Sequence, residues 1–243
     1  MGEIKQQIDG SGRMFDKIAK RYDLLNFLTS MGQDKRWRRI AVESLNIKSG
    51  RILDLAAGTF DVSIEIAKQS GQIAKQSENV KIAACDPSKN MLLQGVKKIK
   101  DGPFMQSITP VLCTGENLPF SQNIFDGVTI AFGIRNFSNR TIALNELQRV
   151  LKKDAKMVIL ELHIPKKGLM GLAAGFYAKK IIPLLGALLS SKDQYVYLPE
   201  SMDNFPSPSD FTIELESSGF SVLFVKNFLF GVCNMFVCKN STY

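Results

Sequence analysis

The sequence is poor in the residues that usually do chemistry at a metal. Its 243 residues include one histidine, His163, and four cysteines, Cys85, Cys113, Cys233 and Cys238, with no CxxC pair among them. A zinc site draws three or four such ligands into close spacing, so no metal centre is expected. Cys85 and Cys113 each end an apolar run, which reads as buried, reduced thiols and points to a reducing compartment. Long apolar runs are missing too. The longest stretch, Leu169–Ser190, is broken by Lys179, Lys180 and Pro183, short of the ~20 apolar residues that span a bilayer. The N-terminus MGEIKQQIDGSGR has no apolar core of the secretory kind, so a cytoplasmic protein is expected. Eighteen glycines and nine prolines are too few for a collagenous or low-complexity chain.

What is present is ordinary globular material, 45% hydrophobic and 22% charged, long enough for one full-sized α/β domain. Thirty-one Lys and Arg against 23 Asp and Glu leave a net charge of +8, which favours anionic partners: nucleic acid, an anionic membrane surface or a phosphorylated substrate.

Short β-like runs alternate with helix-like ones. Strands are predicted at Arg51–Ala56, Val80–Cys85, Ile108–Cys113, Phe125–Ala131 and Lys156–Leu162. Helices are predicted from about Val62, from Ser88 to about Lys100, and over Asn139–Leu151 with Ser138 as its cap; Ile142, Leu144, Leu147, Val150 and Leu151 lie at helical spacing. A helix at Ser209–Ser218 and two close strands, Phe220–Lys226 and Phe230–Cys238, end the chain. The alternation implies a doubly wound α/β fold with a mostly parallel sheet, and the closing strand pair implies an antiparallel edge. Residues 1–46 hold a helical preface, with Phe15, Ile18, Ala19, Tyr22 and Leu25 on one face, and residues 163–207 form an insertion on the substrate side. A small tandem repeat, Ile66–Ser70 and Ile73–Ser77, reads as functionally neutral.

Three signals fall at three successive strand ends. Asp54-Leu-Ala-Ala-Gly58-Thr59 places a glycine turn before the next helix, followed by Asp61. The turn is not GxGxxG and lacks a Walker lysine, which disfavours dinucleotides and nucleoside triphosphates. Asp86 ends the second strand, where a carboxylate can accept both hydroxyls of a ribose. Thr114-Gly115 ends the third, where a backbone N–H can meet an adenine edge. A ribose-and-adenine site without a phosphate cradle fits S-adenosylmethionine.

With these motifs in place, the arrangement DLAAGT…CDPSKNML…TGENLPF…FDGVTIAFGIRN…ALNELQRVLK…VILEL resembles the class I S-adenosylmethionine methyltransferases. Within them it is similar to the ubiquinone/menaquinone biosynthesis C-methyltransferases. The narrower likeness rests on Met14–Asn26, Trp37-Arg38-Arg39, Phe132-Gly-Ile-Arg-Asn136 and Lys192–Ser201. It covers nearly the whole chain and implies one methyltransferase domain over residues 1–243, with a seven-stranded sheet. It further implies cofactor contacts at Gly58, Thr59, Asp61, Asp86, Thr114, Gly115 and Ala131, with alanine where the family commonly has serine at the last. Phe60 stands where a second turn glycine is usual, and the expectation is that the turn keeps a negative φ there. The implied substrate is a prenylated quinol, with demethylmenaquinol favoured. Arg135 and Asn136 are expected to hold the quinol oxygen, Tyr22 to close the site with Asp23, and His163 is a weaker candidate base.

The basic, apolar segment Lys166–Ser190 suggests peripheral contact at the inner face of a membrane. The oligomeric state, a homo-oligomer included, is left open. Two rival readings stand beside this one. Lys35-Arg-Trp-Arg-Arg39 can be read as a basic, stacking patch for RNA, although no nucleic acid is expected. Phe60 and Ala131 can be read as marks of a cofactor-binding protein without activity.

Overall fold

The structure is a computed structural model, and it describes residues 15, 16, 19, 22–47, 49–74, 80–165 and 193–241. Two helices open the chain, α1 (Tyr22–Thr29) and α2 (Asp34–Leu45). The core alternation follows: β1 (Gly50–Leu55), α3 (Asp61–Ala74), β2 (Val80–Asp86), α4 (Lys89–Ile99), β3 (Ile108–Leu112), β4 (Phe125–Ala131), α5 (Arg140–Val150) and β5 (Leu151–Leu162). Helices α6 (Asp193–Asn204) and α7 (Pro208–Ser217) precede β6 (Phe220–Phe228) and β7 (Cys233–Asn240). The sheet runs β3-β2-β1-β4-β5-β7-β6. Only β7 is antiparallel to its neighbours, pairing with β5 and β6.

The central strands are apolar on both faces because helices cover both. Successive side chains point to opposite sides. Thus Ile52 of β1 and Val158 and Leu160 of β5 join Trp37, Val42 and Leu45 of α2 and Ile66 of α3. Leu53, Leu55, Met157 and Ile159 join Leu144, Leu147 and Val150 of α5 and Phe211 of α7.

Four expectations are corrected. The cap of α5 is Asn139, whose side chain accepts from the Ile142 amide, not Ser138. Ile142 is exposed and Ala143 takes its place in the core, one residue around the helix. The last strand starts at Cys233, because Leu229–Gly231 is spent on a tight 3-10 turn. The fourth correction is the largest: Phe60 has φ +71°, not a negative value.

Phe60 keeps that backbone because its ring is wholly buried. The ring lies against Gly95 of α4, where a Cβ would come within 2.5 Å of it. Left-handed backbone costs an L-residue roughly 1–2 kcal/mol, and burying a phenyl ring is worth more, about 3–5 kcal/mol against alanine. Phe60→Gly should therefore destabilise the fold by about 2–4 kcal/mol, strain relief offsetting part of the lost packing. Cofactor affinity should not tighten, since the ring points into the core. Denaturant titration and calorimetry on the same preparation check both halves.

Candidate active site

All five parallel core strands deliver their carboxyl ends to one edge, and the strand order reverses between β1 and β4. A crevice belongs at such a switch point. Its floor is set by one close approach: a Cβ on Gly133 would sit 2.3 Å from the Cβ of Ala56, so only glycine lets the β4 end pass the β1 end. Ala56 (φ +57°) and Phe132 (φ +60°) both hold left-handed backbone beside it, strain of the kind that collects at functional sites.

The cleft is lined by Phe15, Tyr22, Ala56, Gly58, Asp86, Pro87, Met91, Phe132, Gly133, Asn136 and Phe137. Of the predicted residues, it brings together Tyr22, Gly58, Asp86 and Asn136. Among the described residues Asp86 is its one charged lining group. One carboxylate oxygen accepts the Gly58 amide at 2.9 Å and the other the Ser88 amide at 2.8 Å, which leaves further lone pairs for hydroxyl donors. Burial pushes the carboxyl up to about 6, against the pull of these two amides.

The walls suit an adenosine. Met91, Pro87, Phe132 and Phe137 offer apolar surface, and among the described residues no lysine or arginine lines the cleft to meet a phosphate. The donor set therefore fits S-adenosylmethionine, with Asp86 for the ribose. The enclosed space is only about 50 Å³, against roughly 300–1,000 Å³ for cofactor-sized pockets. Phe15 and Tyr22, which meet edge to face at 6.1 Å, close it from the N-terminal side and must shift for a ligand to enter.

Other predicted contacts are engaged within the protein. Thr59 is buried; its hydroxyl donates to Asp23 at 2.6 Å and accepts from Lys98 at 2.7 Å. Lys98 also pairs with Asp23 at 2.6 Å and Asp61 at 2.8 Å, and Asp61 faces Arg38 at 3.5 Å. Thr59 and Asp61 thus latch α1 to the head of α3 and the last turn of α4 beside the cleft and do not line it. Gly115 lies against the Phe137 ring, Thr114 bridges to Asn117, and Ala131 packs on the core; these three stand outside the lining.

Arg135 is also placed differently from the expectation. Its guanidinium is buried, bonded to Glu161 at 2.6 Å, to the Phe132 carbonyl at 2.7 Å and to Ser201 of α6 at 3.2 Å. Glu161 also accepts the amides of Arg135 and Leu162, at 3.1 and 2.7 Å. The cation is therefore fixed just behind the cleft. Tyr22 reports its reach: burial raises the Tyr22 pKa, while a hydrogen bond with Asn26 and the charges of Arg38 and Arg135 pull it back. His163 is buried after β5 and is not a lining residue; its amide donates to Val232. Lys166–Ser190 lies outside the described residues, as do the side chains of Ile18, Leu25 and residues 192–198.

Sequence reasoning missed Glu161 and Lys98. A lone acid inside the apolar run Met157–Leu162 was a usable signal, since a buried carboxylate needs a partner. Lys98 carried none, as charged helix residues are usually solvated.

The cofactor-side chemistry gives a pH prediction. Asp86 must be ionised to accept two ribose hydroxyls, and its pKa of about 6 lies in an accessible range. Cofactor affinity should be flat above pH 7 and weaken as pH falls through about 6, approaching tenfold per pH unit below it. The sign reverses for the unliganded fold: Asp86 and Asp54, both raised to about 6 by burial, favour folding below the unfolded carboxyl pKa, a contribution lost as pH rises through about 6. Calorimetric titration across this window tests the first statement and thermal melts test the second.

A doubly wound sheet with one antiparallel strand, a nucleoside-type crevice at its switch point and no phosphate cradle among the described residues define a methyltransferase of the S-adenosylmethionine-dependent fold class. A solved S-adenosylmethionine-dependent methyltransferase from Aquifex aeolicus has this fold, with a TM-score of 0.66 at 16% identity over 93% of this chain and 98% of that one. The model of the ubiE/COQ5 methyltransferase family matches residues 2–239, and the chain belongs to that family. It is 40% identical over 225 residues to the ubiquinone/menaquinone biosynthesis C-methyltransferase UbiE of Geotalea uraniireducens, covering 92% of this chain and 93% of that protein. It is 38% identical to the demethylmenaquinone methyltransferase of Thermotoga maritima, covering 93% of each.

Proposed function

We propose that this protein is an S-adenosylmethionine-dependent C-methyltransferase that methylates the ring of a prenylated quinol, demethylmenaquinol, to give the methylated quinol. The observation that carries the reading is one cleft holding both halves of the chemistry, Asp86 on the cofactor side and Tyr22 with Asn136 facing it, in a chain of the ubiE/COQ5 family. When bound, S-adenosylmethionine supplies an electrophilic methyl group on its sulfonium.

Asp86 holds the ribose and so fixes where the methyl group points. Tyr22 and Asn136 hold the quinol oxygen ortho to the reacting carbon. A ring carbon is nucleophilic in proportion to the negative charge its neighbouring oxygen carries, so a fixed cation nearby lowers the barrier. Arg135 provides that charge, pinned by Glu161, the Phe132 carbonyl and Ser201. A guanidinium stays protonated, so Arg135 acts by its field, and the proton of the methylated ring carbon would pass to solvent once the cleft reopens. Closure of α1 over the cleft excludes bulk water, which strengthens each of these interactions.

The test is incubation of the purified protein with S-adenosylmethionine and reduced, demethylated prenyl-naphthoquinol, with the matching benzoquinol and RNA as competitors, read by mass spectrometry. Methylation of the naphthoquinol in excess over the benzoquinol is expected. A protein that binds cofactor yet methylates neither quinol would sink the reading.

A further inference from the structure

The sheet edge that holds the cleft also carries apolar side chains that are largely exposed. On α1 and the turn after it, Leu24, Phe27 and Met31 recur at intervals of three and four residues, with 48%, 48% and 59% of their surface exposed. Phe230 is 75% exposed in the turn between β6 and β7. That turn belongs to the same edge: Phe228 pairs with Cys233, which pairs with Leu162 at the carboxyl end of β5. Trp37 of α2 packs 6.1 Å from Phe228, which brings the α1–α2 segment and the β6–β7 turn to one side.

The rim of this surface is basic. Lys35 and Arg36 are exposed beside it, with the Lys35 ammonium 6.0 Å from the Phe27 ring, and exposed Lys226 lies 5.6 Å from the Phe228 ring. The exposed acid of α1, Asp23, is already paired with Lys98. We propose that this edge is a membrane-docking face, on which Leu24, Phe27, Met31 and Phe230 enter the interfacial zone of an anionic bilayer while Lys35, Arg36 and Lys226 meet its headgroups.

Apolar side chains ringed by basic ones are the pattern by which a helix lies in a lipid interface. The occupant follows from charge. A second copy docked face to face would bring identical basic groups together on chains that each carry +8. Nucleic acid would meet exposed aliphatic and phenyl surface where it needs hydrogen bonds. An anionic bilayer satisfies both the apolar centre and the basic rim. Resting on the proposed substrate, the placement also has a use: the helix whose Tyr22 closes the cleft on one side presents Leu24 and Phe27 on the other, so docking sets this cover against the phase that dissolves a polyprenyl tail.

The test is co-sedimentation of the full chain with vesicles of phosphatidylcholine alone and of equal parts phosphatidylcholine and phosphatidylglycerol. At least tenfold stronger partitioning into the anionic vesicles is expected, largely lost at high salt. Met31→Ser with Phe230→Ser, and separately Lys35→Glu with Arg36→Glu, should each weaken it about tenfold or more, given roughly fivefold per basic residue at such a surface. Circular dichroism checks that the variants fold, and all four substitutions should leave turnover on a short-chain, water-soluble quinol unchanged. Equal partitioning into both vesicle types, or variants that partition as the wild type does, overturns the proposal. So does a dimer dissociated by Met31→Ser with Phe230→Ser in a protein that ignores vesicles, which assigns the face to a second copy. Vesicle binding by a protein that methylates no quinol leaves the docking face standing and removes the substrate reading instead.

Discussion

Arg135→Ala is expected to lower turnover by about 10²–10³-fold, the usual loss when a fixed donor or cation at a developing oxyanion is removed, with cofactor affinity nearly unchanged. The structure adds a second consequence. Glu161 has no exposed side-chain surface, and its guanidinium partner is bonded at 2.6 Å. Without Arg135 the carboxylate keeps only backbone amides as donors, and stranding one member of a buried pair costs about 3–5 kcal/mol. The two effects separate experimentally. Arg135→Ala with Glu161→Ala removes the stranded charge and should recover much of the stability while leaving turnover low. Arg135→Lys keeps the charge but loses the forked contact with Glu161, the Phe132 carbonyl and Ser201, so it should recover little activity. Denaturant titration and single-turnover rates on the three variants measure both quantities. If folded Arg135→Ala methylates at near wild-type rate, the residue is a structural ion pair and its catalytic role is removed.

Asp86→Ala should weaken S-adenosylmethionine at least tenfold, and about a hundredfold if both ribose hydroxyls are held. Each hydrogen bond to a charged acceptor is worth roughly 1.5–3 kcal/mol. The fold should survive, because at neutral pH this carboxylate is ionised against its own burial and its loss relieves that cost. The Gly58 and Ser88 amides lose their acceptor, so part of the affinity loss will be a slackened turn. Asp86→Asn divides the two contributions: it retains a polar side chain for the amides but accepts less strongly from the ribose. Calorimetric titration at pH 7.5 decides, and unchanged affinity in both variants would move the ribose contact elsewhere.

Much of this molecule is legible in local sequence because its determinants are local. Apolar runs such as Phe125–Ala131 and Val80–Cys85 are strands wherever they are packed on both faces. Ser88 caps α4 by accepting the Met91 amide three residues on, and the order of strands and helices admits few topologies. Asp86 was readable for the same reason, as a lone acid closing an apolar strand. The errors are also informative. The sequence leads one to expect a negative φ at Phe60, with Gly58 supplying the close approach, but the Phe60 ring is held by Gly95, thirty-five positions along the chain, and a buried phenyl outweighs a local backbone cost. Ser138 and Asn139 are both good caps, and the choice fell to the neighbour that lets Ala143 face the core.

The sequence by itself determined the class of fold and the family, and it singled out Gly58 and Asp86, which the fold brings to one cleft, because these rest on strand periodicity, turn chemistry and residues adjacent in the chain. Only the tertiary structure decided which polar side chains face the cleft and which brace it. Thr59, Asp61 and Arg135 look alike as candidates in the sequence, yet Lys98, Asp23 and Glu161 claim them from distant elements. A charged group near a dry interior goes to the partner that best offsets its desolvation, and where that partner lies is a property of the folded chain.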